Sequence, residues 1–242
     1  TLRRGQRRGE FAVTVDWHEH HKLLKVAFPT AIQTTDALHE IQFGYLKRPT
    51  HRSRQYDKDR FEVVNHKYTA LCEEGRGAAV LNDCKYGVSA EEGAIALTLL
   101  RAPKIPDMEA DMGEHCFTYA FTFWNGSFLA CDVVREAYEL NVPVPVTPGS
   151  GSRSFLELSN PDIILDTVKR AEDGSGDLVL RLYESKRTTA ACDILLRDGY
   201  GQAEETNLIE EPVAPLPVEQ NRIRLRFRPF EIKTIRLKKG PA

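Results

Sequence analysis

Phe117-Thr118-Tyr119-Ala120-Phe121-Thr122-Phe123 sets an aromatic side chain at every second position, with small or polar residues between. Successive side chains of a strand point to opposite faces, so this spacing builds one apolar face and one polar face. A helix would scatter the same four rings around its circumference. The period of two recurs at Phe11, Val13, Val15 and Trp17, at Ile41, Phe43 and Tyr45, and at Ile95, Leu97 and Leu99. It returns at Leu178, Leu180 and Leu182 and at Ile223, Leu225 and Phe227. Turn-forming groups, among them Glu73-Glu74-Gly75, Glu91-Glu92-Gly93 and Asp173-Gly174-Ser175-Gly176, punctuate these runs. An all-β fold of half-buried antiparallel strands follows. One stretch departs from it: Leu129, Val133, Ala137 and Leu140 recur at helical spacing behind Ser127, which predicts a short helix with a serine cap.

Between Val142 and Ser154 the residues VPVPVTPGSGSRS have the composition of an extended connector, and we place a boundary there, giving domains 1–152 and 153–242. The second domain reads as a small β-sandwich. Arg222, Arg224, Arg226 and Arg228 occupy the opposite face of the Ile223 strand, as a solvated sheet face requires, without calling on an anion ligand. The apolar phase changes after Thr234, which predicts a bulge or bend.

At 242 residues and 41% hydrophobic the chain buries a core without help from disulfides or metals. Its 33 basic and 35 acidic side chains are interspersed and sum to −2, a distribution with no basic stripe for nucleic acid. No apolar run reaches the ~18 residues of a membrane span, and no charged-then-apolar leader precedes the first strand. Cys72, Cys84, Cys116, Cys131 and Cys192 are odd in number and lack a CxxC pair, which fits reduced thiols in the cytoplasm. In that compartment the sequon Asn125-Gly126-Ser127 has no meaning. The chain begins at Thr1 without a methionine, from which we expect a truncated or processed product.

Two clusters invite a chemical reading. Trp17-His18-Glu19-His20-His21 is rich in zinc-ligand types, but on a strand His18 and His20 share a face while Glu19 and His21 point away, and no HExxH helix accompanies them. We read an exposed cluster and expect no metal in this chain. Asp83, Asp107, Glu109, Asp111 and Glu114 are numerous enough for the carboxylate pair of a glycosidase. Pro106-Asp107-Met108-Glu109-Ala110-Asp111 nevertheless reads as an acidic loop with local side-chain to backbone bonds. With no Ser-His-Asp or Cys-His motif, GxGxxG or P-loop, the residues name no catalytic set.

Several longer motifs occur in one order. They are Val15-Asp16-Trp17-His18-Glu19, Glu40-Ile41-Gln42-Phe43-Gly44, Arg48-Pro49-Thr50-His51, Arg60-Phe61-Glu62-Val63 and Leu81-Asn82-Asp83-Cys84-Lys85-Tyr86-Gly87. Leu99-Leu100-Arg101-Ala102-Pro103, Asn141-Val142-Pro143, Asp166-Thr167-Val168-Lys169, Leu180-Arg181-Leu182-Tyr183-Glu184 and Pro229-Phe230-Glu231-Ile232-Lys233-Thr234 follow. In this order they resemble the C-terminal β-rich region of family-38 glycoside hydrolases, the α-mannosidases of cytosolic type. The resemblance implies a galactose-mutarotase-like antiparallel supersandwich followed by a small β-sandwich. It implies a parent enzyme that hydrolyses terminal α-linked mannose through a covalent intermediate, with its aspartate nucleophile and zinc in an N-terminal catalytic domain absent from this chain. No residue here matches those motifs, so no catalytic or metal residue is carried over.

What the resemblance does imply is that loops of the large domain approach the sugar. The substrate-proximal candidates are Asp83, Lys85 and Tyr86 in one turn and Asp111, Gly113, Glu114 and His115 in another. Two stretches depart from the family pattern: Arg52-Ser53-Arg54-Gln55-Tyr56-Asp57 stands where Asn-Thr-Ser-Trp-Asp is usual, and Phe123-Trp124 where a Pro-His pair is usual. The expected partners are the catalytic domain, an α-mannoside and a second copy of the chain. Trp124 is of a type that stacks on a sugar ring, but we expect it to make a hydrophobic or interdomain contact. The alternative function is a free-standing carbohydrate-binding module, an open β-sandwich with an exposed aromatic.

Overall fold

The alternating runs lie in antiparallel strands, with the run from Ile41 to Tyr45 divided between two of them, in the computed structural model, which describes residues 1–2, 4–142, 144–151, 154–197 and 199–238. The chain divides into two units, Thr1–Pro145 and Val146–Ala242. The first holds β1 (Gly9–Trp17), β2 (Leu24–Pro29), β3 (Asp36–Ile41), β4 (Gly44–Pro49), β5 (Val63–Val64) and β6 (Tyr68–Glu73). After them come β7 (Arg76–Asn82), β8 (Gly87–Glu91), β9 (Ala94–Leu100) and β10 (Gly113–Asn125), with the helices α1 (Gln55–Asp59) and α2 (Val133–Asn141). A six-stranded sheet runs β1-β10-β7-β6-β3-β4 and a four-stranded sheet β2-β9-β8-β5.

The two sheets share one core. Leu71, Val80 and Phe117 of the larger sheet meet Val88, Ile95, Leu97 and Leu99 of the smaller. Each such side chain contributes about 1.5–3 kcal/mol by leaving water. Phe28 of β2 stacks on Phe121 of β10 with ring centroids 5.1 Å apart, and Phe11 stacks on Tyr119 at 5.2 Å, so the predicted aromatic face of β10 closes the sandwich. The β8–β9 hairpin turns through Glu92 (φ 49°) and Gly93 (φ 77°), the pair of positive φ angles that matches the strand twist.

The larger sheet is covered on its other face as well. Here α2 buries Val133, Val134 and Ala137 against β6 and β7. Phe128 packs edge-on to Tyr45 at 5.3 Å and to Trp124 at 6.4 Å. The predicted helix over 127–140 is thus two pieces, a 3₁₀ turn at Phe128–Ala130 and then α2. The break is physical: Phe128 enters the core while Leu129 faces solvent, and Cys131 goes extended (φ −93°, ψ 158°) to return Val133 to the sheet. Trp124 is only 6% exposed, so it belongs to this core and is not an open stacking platform. Its indole fills the space over Gly77, its cross-strand partner. Arg8, itself buried, ties the first residues to the helix by donating to the Glu136 carbonyl at 2.6 Å and to Glu10 Oε1 at 2.7 Å.

Ile41, Phe43 and Tyr45 do not share a strand. The chain reverses at Gln42-Phe43, with Ile41 opposite Gly44 and Phe43 at φ 57°. No glycine, asparagine or aspartate marks the turning pair, so the alternation ran on unpunctuated through a hairpin.

The second unit contains β11 (Leu156–Leu158), β12 (Ile163–Arg170), β13 (Leu178–Glu184) and β14 (Ala190–Leu196). It continues with β15 (Gln202–Thr206), β16 (Pro212–Leu216), β17 (Arg222–Phe227) and β18 (Ile232–Lys238). The sheets β11-β14-β17 and β12-β13-β18-β15-β16 form a small sandwich over Leu180, Leu182, Ile194, Ile223, Leu225, Phe227, Ile235 and Leu237. The arginines of β17 face solvent, Arg222 toward Asp193 at 3.5 Å and Arg228, just beyond the strand, toward Glu231 at 3.0 Å. No bulge follows Thr234: β18 keeps register with β13 from Ile232 to Leu237. The change of phase arises because Thr234, 2% exposed, is buried on the outer face, where its Oγ1 accepts from Arg181 Nε at 3.3 Å.

Two measurements check this packing. A Cβ on Gly77 would sit 2.1 Å from Trp124 Cζ2, so Gly77→Ala is expected to destabilise the first unit by about 1–3 kcal/mol in urea unfolding, with part of the loss recovered by Trp124→Leu. His39, 2% exposed, bonds Thr69 Oγ1 through Nδ1 at 3.0 Å. Burial first, then the charge of Arg48, lowers its pKa to about 4. Between its unfolded value near 6.5 and about 4 only the unfolded chain binds the proton. Stability is therefore full above the upper value and falls by on the order of 3 kcal/mol as pH drops to the lower. Unfolding measured from pH 7 to 4 should show that slope, and His39→Gln should flatten it.

Candidate functional site

The sequence LNDCKYG leaves the sheet at Asn82, and the turn that follows is held from beneath by two buried amides. Asn82, 1% exposed, donates through Nδ2 to the Asn65 side-chain oxygen at 3.1 Å and to the His66 carbonyl at 2.7 Å. Its Oδ1 accepts from the Lys85 amide at 2.7 Å. Asn65, wholly buried, donates through both Nδ2 and its backbone N–H to the Tyr86 carbonyl at 3.1 and 2.9 Å. The loop is thereby fixed at both ends while Tyr86 stays 53% exposed. Its ring lies 5.3 Å from that of His66.

The two predicted turns meet. Lys85, Tyr86 and Asp111 line one open depression of about 480 Å³ with Glu62, Thr98 and Arg101. Asp111 (φ 65°) caps the strand end above it: Oδ2 accepts from the Arg101 and Ala102 amides at 2.9 and 3.1 Å, and its carbonyl accepts from His115 Nε2 at 2.9 Å. Glu62 Oε1 accepts from Lys25 Nζ at 3.1 Å and from the Thr98 hydroxyl, while Lys25 also donates to Ser89 Oγ at 3.0 Å. Lys85 lies over the Phe117 ring with Nζ 4.4 Å from the centroid. Burial and the neighbouring Asp83 push the Cys84 thiol up to about 11, which keeps it protonated and unreactive at neutral pH.

The remaining candidates serve other ends. Asp83 Oδ2 accepts from the Thr118 amide at 2.8 Å, and its buried Oδ1 has no hydrogen-bond partner. Gly113 (φ 103°) turns the chain into β10, where Glu114 pairs with Asp16 and His115 with Val15, so these two continue the ladder beyond the depression. Asp107 and Glu109 stay exposed, with Asp107 Oδ1 taking the Glu109 amide at 2.9 Å, the local bond expected of an acidic loop. His18, His20 and His21 are exposed and His18 pairs with Asp16 at 2.8 Å. Among the described residues no group of three His, Cys, Asp or Glu stands close enough to hold a metal, so these side chains do not fit a zinc site. Sequence reasoning missed Asn65, Lys25 and Thr98 as members of this region. Adjacent polar residues at strand ends, Val64-Asn65-His66 and Leu81-Asn82-Asp83, were the available signal for the asparagines.

Two family models match this architecture: the glycosyl hydrolases family 38 C-terminal domain over residues 1–109 and the family 38 C-terminal beta sandwich domain over residues 162–235. This chain belongs to the C-terminal region of glycosyl hydrolase family 38. Among its family-38 relatives, human alpha-mannosidase 2C1 is 42% identical over 236 residues, covering 94% of this chain and 23% of the relative. Alpha-mannosidase G of Dictyostelium discoideum is 41% identical, with 95% and 22% covered, and alpha-mannosidase of Saccharomyces cerevisiae is 34% identical, with 94% and 24% covered. The chain spans about a quarter of the length of these curated relatives. The crystal structure of an alpha-mannosidase from Enterococcus faecalis V583 superposes with a TM-score of 0.79 at 22% identity, covering 96% of this chain and 28% of that one, so the fold is shared. Among the described residues no helix is long and apolar enough to cross a membrane.

Asn82 is the test of how the depression is held in this family-38 region. Asn82→Leu leaves the Asn65 oxygen, the His66 carbonyl and the Lys85 amide without their partner, at an expected cost of about 2–4 kcal/mol. Amide exchange at Lys85 should accelerate while that of Ile95 in β9 follows global unfolding only.

Proposed function

We propose that this chain is the non-catalytic C-terminal β region of an α-mannosidase, bracing the catalytic domain and edging its sugar cleft with the depression between Lys85, Tyr86 and Asp111. The observation that carries this reading is the commitment of the carboxylates around that depression. Asp111 Oδ2 is held by two backbone amides, and Glu62 Oε1 is held by Lys25 and Thr98. A glycosidase needs one carboxylate to protonate the leaving oxygen and a second to attack or to activate water. Side chains anchored in this way shape a wall and orient hydroxyls, and the exposed Tyr86 ring offers an apolar face to a pyranose.

On this reading the aspartate nucleophile and the zinc are supplied by residues N-terminal to this region, and this chain contributes rigidity and one edge of the cleft. The five free cysteines support a reducing, cytoplasmic setting for the whole protein. The chain by itself, supplied with zinc and an aryl α-mannoside, is expected to release no aryl alcohol above background, and calorimetric titration with mannose or mannobiose should give no saturable heat. Turnover would overturn the proposal. Saturable heat abolished by Tyr86→Ala would establish the free-standing binding module in its place.

A further inference from the structure

A second pocket, of about 210 Å³, lies between the edge strand β4 and the short helix α1, and its charged lining is one-sided. Lys47, Arg48, Arg54 and Arg60 contribute four cations and Asp57 the one anion. Asp57 is already taken: its Oδ2 accepts from the Arg54 amide at 3.0 Å and pairs with Arg54 Nε at 3.2 Å. Lys47, Arg48 and Arg60 have no carboxylate within ion-pair distance among the described residues.

Arg48 is the decisive member. It stands on the same face of its sheet as the core residue Ala37, its partner in β3, and its Nε is shielded from solvent without a hydrogen-bond partner. An unsatisfied buried donor is rare, and here it belongs to a cation that lines the pocket without a carboxylate partner, so an anion seated there would offset its unpaired charge. The neighbouring guanidiniums are not loose surface groups. Arg54 and Arg60 both sit over the Tyr56 ring, 4.3 and 5.3 Å from its centroid, which fixes their position at the pocket.

Guanidinium groups around a small cavity complement a compact oxoanion, to which they donate paired hydrogen bonds. The volume lies below the ~300 Å³ at which drug-sized ligand sites begin, which suits one such group and excludes an oligosaccharide. We propose that this pocket binds a phosphate group, either as the free ion or as the monoester of a small sugar. Val63 lines both this pocket and the depression at Tyr86, so the hexose of a phosphorylated ligand would lie toward that depression. Anion capture here does not depend on whether the depression receives mannosides in an intact enzyme.

Calorimetry of the full chain at low ionic strength, with inorganic phosphate, a hexose 6-phosphate and the unphosphorylated hexose, provides the test. Phosphate and the hexose phosphate should each give saturable one-to-one heat and the hexose none. A hexose phosphate binding at least tenfold tighter identifies the ester as the source, and equal affinity identifies the free ion. Arg48→Gln and Arg60→Gln should each weaken binding about tenfold. Arg135→Gln, on α2 beside Asp132, should leave it unchanged. Arg60 is exposed, so its variant folds even where that of the half-buried Arg48 does not. Absence of saturable heat with both phosphates, or an Arg60→Gln protein that binds as tightly as the parent, would overturn the proposal.

Discussion

The first unit depends on a central strand that is apolar on both faces and thin on one. β7 sends Ala78 and Val80 into the sandwich core and Gly77, Ala79 and Leu81 toward α2 and Trp124, and no position from 77 to 82 is open to water. Gly77 has no side chain because the Trp124 indole occupies the space a Cβ would need. Large residues supply buried area and small ones let the layers approach, and this alternation fixes which element can cover which face. The helix, the 3₁₀ turn and the residues anchored by Arg8 all follow from the need to cover the second face.

The candidate depression begins where that strand ends. Asn82 is the last residue of β7 and is as buried as the apolar residues before it. Its amide must be satisfied inside the protein, and the partners available are Asn65, His66 and the departing chain at Lys85. The wall of the depression is thus an extension of the core, held by bonds that water does not compete for. Asp111 plays the corresponding part across the depression by capping the amides of Arg101 and Ala102.

Strand existence was legible because a period of two leaves few alternatives for rings spaced as in Phe117 to Phe123. The sequence misled where a residue had two duties. Phe43 continues an apolar alternation yet takes a positive φ in a turn, a role usually marked by glycine or asparagine. Thr234 breaks the apolar phase while remaining buried, because Arg181 covers it on the outer face. Ser127 to Leu140 has one apolar spacing, but two different surfaces of the core receive its residues. At the candidate site the spacing put Lys85, Tyr86 and Asp111 in loops, and the fold brings those loops together. Glu114 and His115 enter the β10 ladder, Lys25 and Thr98 approach from other strands and Asn65 from the connection between β5 and β6, relations carried by register and long-range pairing that no local pattern encodes.

The claim that this region edges a sugar cleft is tested most directly by hydrogen exchange on a full-length family-38 α-mannosidase that contains it, compared with and without a saturating, non-hydrolysed mannoside analogue. The account predicts slower exchange across residues 83–87 and 101–112 on binding, with β17 of the second unit unchanged. Protection confined to segments N-terminal to this region, with both loops exchanging as in the free enzyme, would contradict it.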